Sequence, residues 1–157
     1  MDSKSSSSNA EVRLDGICVL VIEDEDDSLL LMETALKARG AIVRGAKSAS
    51  EGRHLLEVFP ADAIVSDISM PEEDGYSFIR SIRSLPAEKG GSTPAVALSG
   101  HAFPEDVRRS LEAGYDVHVT KPVHLENLLE AVRGLIDHAA RDARIEGILA
   151  GPHAHVS

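Results

Sequence analysis

The chain has 157 residues, enough for one domain with a real core. Its 26 acids against 16 bases give a formal net charge of −10, which argues against a nucleic-acid surface built on a basic stripe. The single Cys18 excludes an internal disulfide and fits a reducing, cytoplasmic setting, and no apolar run approaches the roughly 20 residues that span a bilayer.

Residues 1–15 are serine-rich and charged and read as a disordered leader or linker. "ICVLVI" (17–22) reads as a strand apolar on both faces, hence one covered on both sides. It ends in five acids, Glu23 to Asp27. Residues 27–39 read as a helix that Asp27 can cap, with Leu31, Met32, Ala35 and Leu36 as its stripe and Gly40 as its stop. Leu29 and Leu30 lie outside that stripe. "AIVRGA" (41–46) is a weaker strand, and residues 48–59 form a second helix with a serine cap, closed by Pro60.

"DAIVSD" (62–67) is a third strand running into an acid, followed by a turn and a helix over 75–85. "PAVALS" (94–99) is a fourth strand, and residues 104–114 a helix with Pro in its first turn. "DVHVT" (116–120) is a fifth strand ending at Lys121-Pro122. Leu125, Leu128, Leu129, Val132, Leu135, Ile136 and Ala139 then keep the spacing of one helix face. Residues 139–157 read as a helical extension and a disordered tail.

Five βα units in alternation predict an α/β fold, a five-stranded parallel sheet with helices on both faces. The common doubly wound order is 2-1-3-4-5, flavodoxin-like, with a ligand crevice at the carboxyl ends of strands 1 and 3. That order brings Glu23 and Asp24 together with Asp67, and sets Ser99 and Lys121 on the same edge. Converging carboxylates suit a hard divalent cation such as Mg2+. Asp67 is also a candidate nucleophile toward phosphorus, with the Lys121 ammonium and the Ser99 hydroxyl placed to meet the incoming charge. Taken singly, each of these residues has a plainer reading as a solvated helix end, a turn or a surface lysine. Taken together at four strand ends, they read as a site. No glycine-rich phosphate loop follows the first strand, which disfavours nucleotide binders.

The blocks "IEDEDD", "VSDISMPEEDGY", "VALSGHA" and "AGYDVHVTKP" resemble the response-regulator receiver domain of two-component signalling, over roughly residues 17–138. The resemblance implies that Asp67 is the phosphoacceptor and Asp24 the direct Mg2+ ligand. Glu23 would act mostly through water, and the Ser69 carbonyl would complete the protein ligands. It also implies that Ser99 and His118 form the switch pair, that Lys121 binds the phosphoryl group and that the Lys121–Pro122 bond is cis. Ser69 and His101 would flank the path of the hydrolytic water. The implied partner is a histidine kinase or histidine phosphotransfer protein, with a homodimer as a further option and neither nucleic acid nor membrane as a target. The implied setting is a stand-alone receiver (16–138) or the terminal receiver of a hybrid kinase. Two other classes compete: a phosphorylation-independent interaction module, and a phosphatase of the haloacid-dehalogenase type. The latter needs an acid two residues after the nucleophile, where Ser69 stands.

Overall fold

The computed structural model describes residues 11–156, with side chains as far as residue 148; most of the expected leader and the end of the expected tail lie outside the described residues. The five apolar runs are strands: β1 (Cys18–Ile22), β2 (Ile42–Ala46), β3 (Ala63–Asp67), β4 (Ala95–Ser99) and β5 (Val117–Thr120). All pair in parallel, in the order β2-β1-β3-β4-β5. Between and after them run α1 (Asp26–Ala38), α2 (Ala49–Val58), α3 (Gly75–Arg83), α4 (Pro104–Ala113) and α5 (Leu125–Val156). The expected fold class is the observed one.

Side chains of a strand alternate between faces, so β1 feeds two cores at once. Leu20 and Ile22 join Phe59, Ile64, Phe78, Ile79 and Ile82 beneath α2, α3 and α4. Val19 and Val21 join Leu29, Met32, Leu36, Val65, Leu98 and Leu128 beneath α1 and α5. β3 and β4 are buried along their whole length. Burial on that scale, at about 25 cal/mol per Å2 of apolar surface, is the main force holding the sheet. It also leaves the sheet's carboxyl edge, where chain turns break the pattern, as the place where polar groups gather.

Three local expectations are corrected. The buried stripe of α1 is Leu29, Met32 and Leu36, whereas Leu30 and Leu31 are 62% and 56% exposed. Three consecutive leucines allow more than one helix phase, and the packing on β1 selects the one that buries Leu29. The N-cap of α1 is Glu25 rather than Asp27, which lies inside the first turn, where acids favour the helix dipole. Leu14, expected in the leader, is fully buried; its N–H donates to the Arg39 carbonyl at 2.7 Å, so the packed region begins before Gly16. The serine cap of α2 forms as expected, Ser48 Oγ accepting from the Glu51 N–H at 3.1 Å.

α5 runs 32 residues, about 48 Å at 1.5 Å per residue, far beyond the part that Leu128, Leu129 and Val132 seat on the sheet. No helix among the described residues is long and apolar enough to cross a membrane.

Candidate functional site at the carboxyl edge of the sheet

Parallel register aligns the strand ends: Asp67 pairs with Leu98 and Ser99 with Thr120, and the Lys121 N–H donates to the Ser99 carbonyl at 2.7 Å. The last residue of each strand therefore opens on one crevice. The Lys121–Pro122 peptide bond beside it is cis.

Oxygens of Glu23, Asp24 and Asp67 all lie within 4.8 Å of one another. Glu23 and Asp67 are almost wholly buried, and Asp24 is half-buried. Lys121 Nζ stands 3.2 Å from Asp67 Oδ2 and 3.3 Å from Glu23 Oε1. Glu23 Oε2 accepts from the Glu25 N–H at 3.2 Å. Three carboxylates against one ammonium leave the crevice negative. The donor set is oxygen only, which fits Mg2+ in kind and in number.

The run of five acids now divides by role. Glu23 and Asp24 turn into the crevice, Glu25 accepts from the Ser28 hydroxyl, Asp26 pairs with Lys47, and Asp27 is exposed on the first turn of α1.

Burial, followed by the nearby charge of Asp67, pushes the Glu23 carboxyl above the ordinary glutamate range. Burial pulls the Lys121 ammonium down, but Asp67 and Glu23 more than offset it and hold the group above its usual value. A carboxyl whose pKa rises on folding favours the fold below its unfolded pKa, and that contribution is lost as pH rises through the raised value. At neutral pH the ionised Glu23 is therefore a cost. Glu23→Gln should raise the melting temperature at pH 7 in metal-free buffer. The gain should shrink toward pH 4. A lower melting temperature at pH 7 would contradict this electrostatic account.

The loop after Asp67 is built for close approach. A Cβ on Gly75, at the start of α3, would sit 2.6 Å from the Asp67 carbonyl oxygen and 2.8 Å from Ile68 Cα, so only glycine fits there. The Gly75 N–H donates to the Ile68 carbonyl, and the buried Tyr115 hydroxyl donates to the Gly75 carbonyl, both at 2.8 Å. Glu72 takes a left-handed φ of 72°, uncommon outside glycine. Next to it Glu73 is held by both terminal nitrogens of Arg53 on α2, and it also accepts from the Ser77 hydroxyl at 3.1 Å. These hydrogen bonds hold the Glu73 carboxyl below the usual range. Ser69, the remaining expected ligand, lies exposed at the start of this loop, its N–H 3.4 Å from Asp67 Oδ1. The Arg53–Glu73 clamp had no signal in the sequence, because the two residues stand twenty apart on elements that only the fold brings together.

Ser99 is buried at the end of β4, and His118 is half-buried on β5. The imidazole is anchored at both nitrogens, near the Ser110 hydroxyl at 2.9 Å and the His101 carbonyl at 3.0 Å. His101 itself is exposed at the rim.

Comparison with known proteins shows the family. Residues 19–133 match the family described as the response regulator receiver domain. A 14.6 kDa protein of Leptolyngbya boryana is 39% identical over 115 residues, 73% of this chain and 86% of that protein. The sensor histidine kinase GacS of Pseudomonas protegens is 32% identical over 115 residues, which are 73% of this chain but only 12% of the kinase. Among solved structures, the signal receiver domain of a signal transduction histidine kinase from Syntrophus aciditrophicus superposes with a TM-score of 0.71 at 29% identity, covering 78% of this chain and 92% of that one. With the strand order, the acidic crevice and the family match in agreement, this chain belongs to the response regulator receiver domains of two-component signalling.

Proposed function

We propose that this receiver accepts a phosphoryl group on Asp67 with Mg2+ bound, and that phosphorylation changes the surface around α4 and β5. The observation that carries this reading is the Asp67 carboxylate in a crevice with the Glu23 and Asp24 oxygens within 4.8 Å and the Lys121 ammonium at 3.2 Å. Asp24 and Asp67 would hold the ion directly, the Ser69 carbonyl would add a ligand, and Glu23 would act through water. The ion supplies positive charge against the incoming phosphoryl oxygens.

Receiver domains work with histidine kinases or histidine phosphotransfer proteins, so the donor is a phosphohistidine. An Asp67 oxygen forms the new bond to phosphorus while the P–N bond breaks. The bonding pair returns to the donor imidazole, which then takes up a proton. Lys121 would leave its Glu23 contact and pair with the phosphoryl group, and Ser99 would donate its hydroxyl to it. A half-buried ammonium already held against Asp67 acts more strongly here than a freely solvated one, because the crevice screens it less than bulk water does.

Incubation with a small phosphodonor and Mg2+, followed by mass spectrometry of the acid-labile site, tests the reading. Phosphate on Asp67, absent when the divalent ion is chelated, is expected. Phosphate elsewhere would overturn it, and no labelling by any donor would favour the phosphorylation-independent module.

Lifetime of the acyl phosphate should depend on Ser69 and His101, both exposed at the mouth of the crevice. Neither is a carboxylate, so water meets no strong base there, and only a neutral imidazole could assist it. Substituting either residue should change the decay rate several-fold without moving the phosphate. Unchanged decay in both variants would remove them from the path of the water.

A further inference from the structure

The proposed chemistry gives the buried hydroxyl of Ser110 no role. Ser110 lies on the inner face of α4 and is fully buried, where a hydroxyl is costly unless it is hydrogen-bonded. Its Oγ is 2.9 Å from Nδ1 of His118. The other ring nitrogen, Nε2, is 3.0 Å from the His101 carbonyl. A carbonyl only accepts, so Nε2 carries the proton, and in the neutral ring Nδ1 accepts from Ser110. The same His101 carbonyl accepts the Ser99 hydroxyl at 3.3 Å, while the His101 N–H donates to Ser99 Oγ at 3.0 Å. Ser99, the His101 main chain, the His118 ring and Ser110 thus form one hydrogen-bonded chain, from the end of β4 to the inside of α4.

We infer that Ser110 is a positioning residue for the switch: it selects the tautomer and orientation of His118 and thereby joins α4 to the stretch of main chain that Ser99 holds. This rests on the phosphoacceptor reading above, because that reading is what moves Ser99. When the Ser99 hydroxyl turns to a phosphoryl oxygen on Asp67, both of its bonds to His101 are given up. The His101 carbonyl then keeps one donor, the His118 ring. A ring fixed by Ser110 carries the displacement of this segment into α4. A ring without that partner can flip about its Cβ–Cγ axis or change tautomer, and the displacement stops at the loop.

Long-range 1H–15N spectra of the histidine rings test this directly. Wild type should show His118 as a single Nε2–H tautomer at neutral pH. Ser110→Ala, which keeps good helix propensity, should show a tautomer mixture and a shifted His101 amide. The response of the α4 amides to beryllofluoride with Mg2+ should fall at least twofold in that variant. Stability separates positioning from simple packing. Ser110→Ala should lower the melting temperature of the wild type, and should be neutral or stabilising in a His118→Phe background, where the serine hydroxyl has lost its acceptor. An unchanged tautomer in Ser110→Ala, or an equal loss of stability in both backgrounds, would overturn the inference. If Asp67 takes no phosphate, the phosphoacceptor reading fails, while the tautomer and stability measurements still decide whether Ser110 positions the ring.

Discussion

Asp67→Asn should take up no acid-labile phosphate from either a phosphohistidine partner or a small phosphodonor. An amide is no nucleophile toward phosphorus, so the loss should be complete within detection, beyond about a hundredfold. Lys121→Ala should slow labelling by about 100-fold, the range for removing one preorganised electrostatic partner. It should do so without abolishing Mg2+ binding, since the carboxylates remain. Asp24→Ala should show the opposite division, with Mg2+ binding weakened first and labelling restored in part at high Mg2+. The three variants separate nucleophile, charge partner and metal ligand, although all three groups share one crevice. Time courses of phosphorylation followed by mass spectrometry, with calorimetric titration of Mg2+, would read both quantities. Undiminished labelling of Asp67→Asn would remove the residue from its assigned role.

Partner recognition should be separable from the chemistry. Leu30 and Leu31 stand exposed side by side on α1, beside the acids that lead into the crevice. Exposed leucines on a helix next to the proposed site fit an apolar contact for a helical partner that presents its histidine to Asp67. Leu30→Glu should therefore slow transfer from the phosphohistidine partner by roughly tenfold or more, what about 1.4 kcal/mol of lost interface energy produces. Labelling by a small phosphodonor should be unchanged, because Leu30 takes no part in the two cores. Equal loss with both donors would point to damage to the fold, and no loss with either would remove α1 from the docking surface. A parallel Leu29→Glu control should unfold the domain, since Leu29 is buried against β1.

Much of the site was legible before the fold was known, and the reason is local. Each candidate site residue stands at the end of an apolar run, and in a parallel sheet every run ends on the same edge. Glu23 and Asp24 after β1, Asp67 closing β3, Ser99 closing β4 and Lys121 after β5 could therefore be placed together from the alternation and the common doubly wound strand order. What stayed hidden involved phase or long reach. The stripe of α1 could not be chosen among Leu29, Leu30 and Leu31, because neighbouring leucines satisfy several helical phases. Leu14 looked like part of a polar leader, because one apolar residue carries no period. Its burial depends on the carbonyl and surface that the end of α1 presents.

The sequence by itself determined the class of fold and the set of side chains gathered at the carboxyl edge, because those follow from the order of short apolar runs and the residues that end them, and its motif blocks carried the resemblance to the family. Only the tertiary structure decided which charges meet at contact distance. It set Lys121 between Glu23 and Asp67, Lys47 beside Asp26, and Arg53 on Glu73. It alone revealed the chain from Ser99 through His101 and His118 to Ser110. Hydrogen bonds and ion pairs act over about 3 Å, whereas periodicity locates an element only to within a turn. The partners of a polar group are therefore settled by how helices seat on the sheet.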